Sequence, residues 1–90
     1  MADPERIAAQ AMTDEGLSSH SWSNEAGFPY PTHEHEYHKV LFCVRGSITF
    51  HTPSGDVELA AGDRLDLPAG TPHGATVGAD GVTCVEAARP

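Results

Sequence analysis

Glycine and proline decide most of what this chain can become. Thirteen of them fall between Gly27 and Gly81, so no long helix can run through that region. Between the breakers lie short runs rich in β-branched, aromatic and aliphatic residues, at 17–23, 36–45, 47–52, 56–60, 64–67 and 82–87. Such spacing predicts an all-β sandwich or barrel. Pro53-Ser54-Gly55, set between Ile48-Thr49-Phe50 and Val57-Glu58-Leu59, reads as a hairpin turn. Only the N-terminal stretch has helical character. Asp3 is a candidate N-cap, Pro4 suits the first helical position, Glu5 suits the first turn and Gly16 ends the pattern. Ile7, Ala8, Ala11 and Met12 give it an apolar stripe. The expected organisation is a helical appendage over residues 1–16 and one β domain over 17–90.

That β domain has little with which to fill a core. Counting Gly and leaving out Tyr, 42 of 90 residues are apolar, but twelve are Ala and nine are Gly. A chain this short buries only about 60–65% of its unfolded surface, so a metal ion, a second subunit or both are expected to help. Five Lys and Arg against thirteen Asp and Glu give a formal charge of −8, with six histidines left out of the sum. This balance argues against nucleic acid and against anionic membrane surfaces, both of which recruit basic proteins. The first residues lack the apolar core of a secretory leader, and no apolar run has membrane-spanning length. A cytoplasmic protein is therefore expected. Cys43 and Cys84 sit in apolar runs outside any C-x-x-C pair and read as buried free thiols.

The histidines are concentrated. His33, His35, His38, His51 and His73 lie within 41 residues, and His33-Glu34-His35 is the sharpest local feature. In an extended strand residues i and i+2 share a face, so His33 and His35 would present two imidazoles together. Imidazole suits Zn, Fe, Cu and Ni. The H-E-x-x-H pattern of helical zinc sites is absent. So are the glycine-rich loops that hold nucleotide phosphates, and neither order nor spacing suggests a Ser-His-Asp arrangement.

From His33 the chain reads HEHEYHKVLFCVRG to Gly46, and from Gly62 it reads GDRLDLPAGTPHGATV to Val77. Together these resemble the two motifs of the cupin superfamily. His33, His35 and Gly46 match the first motif, and Gly62, Pro68, Gly70 and His73 match the second, whose final Asn position is Val77. The resemblance covers about residues 17–90 and implies a small antiparallel jelly-roll β-barrel with a metal site in its mouth. Carried over, His33, His35 and His73 would be three ligands of a divalent metal ion such as Zn, Fe, Ni or Mn, with open positions left for a ligand. The resemblance also implies a homodimer.

One position departs from the pattern. The first motif normally carries Glu as a fourth ligand, and here Lys39 stands in its place. Alternation from His33 and His35 points Lys39 inward and His38 outward, unless a β-bulge turns His38 in. Charges of +2 and +1 about 5 Å apart repel by ~6–7 kcal/mol at an effective dielectric near 20. Lys39 must therefore be neutral, paired with a carboxylate (Glu86 or Glu58), bridged to the metal by an anionic ligand, or the cation of a metal-free site. Tyr37, Leu41 and Cys43 continue the inward phase, and Tyr37 and Lys39 are the candidates for a catalytic role. Trp22 is expected to anchor the core or a dimer face, while His51, Glu34 and Glu36 should face solvent.

Two classes of function follow. One is a binding protein that holds a divalent metal through three histidines, together with a small, anionic molecule. The other is a metal-dependent small-molecule enzyme such as a dioxygenase or isomerase, in which the ion polarises a carbonyl or activates dioxygen. A metal-free ligand-binding version with Lys39 in the pocket is a further alternative. The family resemblance does not by itself select a reaction.

Overall fold

A computed structural model describes residues 3–90; Met1 and Ala2, part of the 1–16 segment, lie outside the described residues. The helix α1 spans Pro4–Asp14. The Asp3 carboxylate accepts a hydrogen bond from the Glu5 amide, satisfying one of the free N–H groups of the first turn. At the other end Gly16 takes φ +77°, its N–H donates to the Thr13 carbonyl, and the Leu17 N–H reaches back to the Met12 carbonyl. This is a Schellman stop, and it tucks Leu17 beside Met12. Of the expected stripe, Ala8 and Met12 are buried while Ile7 is 58% exposed. The buried strip is narrower than expected because the helix has a strand layer on one side only, formed by β1, β3 and β6.

Six strands follow: β1 (Ser19–Asn24), β2 (Pro29–His33), β3 (His38–Thr52), β4 (Gly55–Ala60), β5 (Arg64–Leu67) and β6 (His73–Arg89). All the pairings are antiparallel. β3 and β6 are long enough to serve both layers of the sandwich. Their outer halves, 38–46 and 82–89, join β1 on one side and β5 on the other. Their remaining halves, 48–51 and 73–77, join β2 and β4. The result is two leaves sharing two bent strands, the jelly-roll architecture expected from the sequence.

The bend lies where the register shifts, at Cys43/Arg45 and Gly46/Ile48. Gly46 adopts φ +71°, and a Cβ built on it would stand 1.9 Å from the Gly81 carbonyl oxygen. The two long strands thus cross backbone to backbone at this pair, which only glycine permits. The sequence breaks at glycines had suggested two separate strands around Gly46, and a start at Val82 for the last strand. Both breaks are bends within longer strands. β2 was missed because of Pro29 and Pro31, which an edge strand tolerates.

Between the leaves pack Leu41, Cys43, Ile48, Phe50, Leu59, Leu67, Ala75, Val77, Val82 and Cys84. The outer face of the β1–β6–β3 leaf buries Val40, Val44, Val85 and Ala87 under Ala8, Met12 and Leu17 of the helical segment. Alternation therefore holds along β3, with even positions 40 and 44 toward the helix and odd positions 41 and 43 toward the interior. Cys43 and Cys84 are paired across the strands as buried free thiols, and burial pushes the Cys84 thiol up to about 12.

Arginines pin the helix to the sheets. Arg45 contacts Glu5 and Asp3, while Arg64 and Arg89 both hold Glu15. Arg64 also bonds Asp66, at 2.7 Å. Hydrogen bonds from Arg64 hold the carboxyls of Glu15 and Asp66 below their usual range. Because the folded-state values lie below the unfolded ones, this contribution is complete above the ordinary carboxylate range and is lost as pH falls from there through the depressed folded-state values. The melting temperature is expected to drop as pH falls below about 5, and Arg64→Gln should flatten that drop, as thermal melts followed by circular dichroism would show.

Candidate metal centre

The three candidate ligands come from two strand ends and one loop. His33 closes β2 and His73 opens β6, and the two are register partners. His35 lies beyond the end of β2, where the chain leaves the strand and bends at Glu36-Tyr37. Simple alternation along a strand is therefore not what joins His33 to His35. The His35 carbonyl accepts the Gly70 N–H at 2.8 Å, which ties this loop to the one that enters β6. Ring centroids stand 4.8 Å apart for His33–His35, 4.4 Å for His33–His73 and 5.4 Å for His35–His73.

Hydrogen bonding fixes which nitrogen faces the centre. His33 Nδ1–H donates to the Pro31 carbonyl at 2.8 Å, and His73 Nδ1–H donates to the Thr71 carbonyl at 2.9 Å. A carbonyl can only accept, so each neutral ring keeps its lone pair on Nε2. His35 Nε2 and His73 Nε2 are buried and have no hydrogen-bond partner among the described residues. Buried polar atoms are rarely left unpaired without a reason. One ligand atom from each ring lies within 4.8 Å of the others. Nitrogens on one ion stand about 3.3 Å apart, so the widest pair here is about 1.5 Å beyond coordination spacing. Desolvation lowers the proton affinity of His35 and of His73, keeping both imidazoles neutral and available as donors. The donor set and its orphaned nitrogens fit a divalent ion.

Beside the cluster lies a cavity of ≈ 330 Å³ walled by Trp22, Tyr30, Ile48 and Phe50. Lys39 points into it, nearly buried, with its Nζ 3.5 Å from Glu86 Oε1. The partner is thus Glu86; Glu58 stands opposite Thr49 on β4, exposed to solvent. Trp22 Nε1 donates to the same Glu86 oxygen at 2.6 Å. His20 Nε2 lies 3.9 Å from the other oxygen.

The remaining expectations divide. His38 faces outward and contacts Asp66 at 3.1 Å, with no bulge turning it inward. His51 is exposed, between Asp56 and Thr76. Glu34 and Glu36 are exposed. Tyr37 is 37% exposed rather than interior, because the bend interrupts the extended phase; it stacks on His35 at 4.8 Å and forms part of the cavity lip. Leu41 and Cys43 pack in the interior cluster and do not line the cavity. Trp22 belongs to the cavity wall, and neither its bond to Glu86 nor Tyr30 was anticipated. The signal for Trp22 was available: a polar-capped aromatic on a short strand seeks a partner for its N–H.

Comparison with known proteins places residues 20–85 within the cupin domain family's profile. The chain is 35% identical over 68 residues to quercetin 2,3-dioxygenase of Bacillus subtilis strain 168, a stretch that covers 74% of this chain and 20% of that enzyme. The DMSP lyase DddQ of Ruegeria pomeroyi DSS-3 superposes with a TM-score of 0.75 at 24% identity, over 82% of this chain and 38% of the lyase. Oxalate decarboxylase of Bacillus subtilis, which has Mn(II) centres, gives a TM-score of 0.72 at 19% identity, over 80% of this chain and 20% of that protein. The chain therefore spans between a fifth and two fifths of the length of these relatives.

Proposed function

Since the chain belongs to the cupin family, we propose that it binds a divalent metal ion through His33, His35 and His73 and presents it to a small anionic molecule in the adjoining cavity. One observation carries this reading: three imidazoles converge with two buried, unpartnered Nε2 atoms between them. A bound ion supplies Lewis-acid polarisation of a ligand oxygen. The chain's own residues do the rest. Lys39, already paired with Glu86, offers its remaining N–H donors to a ligand's anionic group, and Trp22, Tyr30, Ile48 and Phe50 exclude water from the ligand's body. Tyr37, stacked on His35, holds that ring at the cavity lip. The thin core favours a homodimer as the working form.

The test is the metal content of untagged protein, before and after reconstitution with Fe, Zn, Ni or Mn. A stoichiometric ion supports the proposal. A trace content unchanged by reconstitution overturns it and leaves a metal-free pocket in which Lys39 is the cation. Lys39→Glu provides a finer check. It removes a cation and restores the family's usual fourth ligand, so affinity for Mn or Zn should tighten by about tenfold or more in chelator competition. Unchanged affinity would separate position 39 from the metal.

A second reading, a metal-dependent small-molecule enzyme, is favoured by the enzymatic names of the three relatives above. Oxygen consumption by Fe-loaded protein, screened against diketones, thiols and small carboxylates, would support it if the signal vanished in His73→Ala.

A further inference from the structure

We propose that Glu86 is an internal counter-ion that allows a three-histidine metal centre to operate beside a lysine, and that Trp22 is the residue that aims it. The inference rests on the metal reading above. Lys39 and Glu86 reach each other diagonally across β3 and β6, since Lys39 pairs with Ala88 and Glu86 with Leu41. Both side chains are largely withdrawn from water, at 11% and 13% exposure. A charge so placed is tolerated only with its partner present.

Glu86 has no freedom to turn away. The Trp22 N–H grips Oε1 from β1, and Lys39 approaches the same oxygen from β3. His20, itself exposed, stands near Oε2. Lys39 and Glu86 line the same cavity as His33, His35 and His73. A carboxylate is absent from position 39 but present on the neighbouring strand: Glu86 lies outside the three-histidine cluster and pairs with Lys39. Glu86 acts here through Lys39, and Trp22 through Glu86; both are positioning residues.

The test is a double-mutant cycle read as affinity for Zn(II) alone, by competition with a chelating dye. Glu86→Gln keeps the shape and an acceptor for Trp22 while removing the charge. It should weaken Zn(II) binding by at least about tenfold. In the Lys39→Met background the same change should cost at least about threefold less, because only Glu86's own attraction for the ion is then lost and no ammonium is released toward the histidines. Equal losses in the two backgrounds, or no loss in either, would overturn the proposal. A merely structural glutamate would give equal losses. Failure of both the unmodified protein and Lys39→Met to bind Zn(II) would instead remove the metal reading itself, and the inference with it. Circular dichroism melts verify that each variant folds. Should Glu86→Gln not fold, Trp22→Phe takes its place, with a smaller loss expected in the same direction and the same reduction by Lys39→Met; a loss undiminished in Lys39→Met overturns the proposal.

Discussion

Gly46→Ala is expected to leave little folded protein. Its backbone has φ +71°, and the added methyl would sit 1.9 Å from the Gly81 carbonyl oxygen and 2.8 Å from its carbon. The left-handed conformation alone costs about 1–2 kcal/mol for an L-residue. The clash then demands that two backbones part, at the point where β3 and β6 bend from one leaf into the other. Overpacking of that kind adds about 1–3 kcal/mol even where side chains can yield, and here the obstacle is main chain. The sum is a large share of the ~5–13 kcal/mol that a domain of this size has in total. Gly27→Ala is the control: its φ is +75°, but nothing lies within 4 Å of the added Cβ. Chemical denaturation should show that variant losing only the conformational term, while Gly46→Ala melts far lower or does not accumulate. Similar midpoints for the two variants would remove the crossing argument.

His73→Ala is expected to abolish tight metal binding while sparing the fold. His73 is 2% exposed, yet its Nε2 has no partner among the described residues, so truncation removes an orphaned polar atom along with one hydrogen bond to the Thr71 carbonyl and some packing. The resulting space opens onto the existing cavity rather than forming a sealed void. Apo stability should therefore shift modestly. Metal affinity should fall by more than about a hundredfold, since loss of an outer hydrogen-bond partner alone typically costs 10–100-fold. Differential scanning fluorimetry separates the two effects. An ion at about a hundred times its dissociation constant stabilises the folded state by ~2.7 kcal/mol. The unmodified protein should melt higher with metal, and His73→Ala should not. An equal rise in both would place the ion elsewhere.

Much of the site was legible in the sequence, and the reasons differ by residue. His33, His35 and His73 were readable from motif spacing, and the structure brings them together. Yet the alternation argument for the first pair fails, because β2 stops at His33 and His35 is placed by a loop hydrogen bond. Lys39, Leu41 and Cys43 were legible as interior because β3 is a true strand there. Tyr37 was misplaced because the bend at 36–37 precedes that strand. The choice between Glu86 and Glu58 depended on which strand lies beside β3's first half, a nonlocal pairing that one sequence does not encode in any period. In the fold, the helix caps and the 53–55 turn were set by local chemistry. The bends in β3 and β6 were not, because a glycine at a crossing and a glycine at a turn look alike in sequence.

The two long shared strands also dictate an order of assembly. β3 and β4 meet across a turn, Thr52 beside Gly55, and can zip at once. β6 must instead find β3 over separations that grow from His51–Gly74 to His38–Arg89. Closing such loops is the slow step in β-rich chains. His73 stands at the leading end of β6 and meets His33 only when that strand has docked against β2. The His33–His73 pair nevertheless spans less chain than the Ser19–Ala87 pair of β1 and β6, so an ion captured there acts as a latch that closes before the two ends of the chain have met.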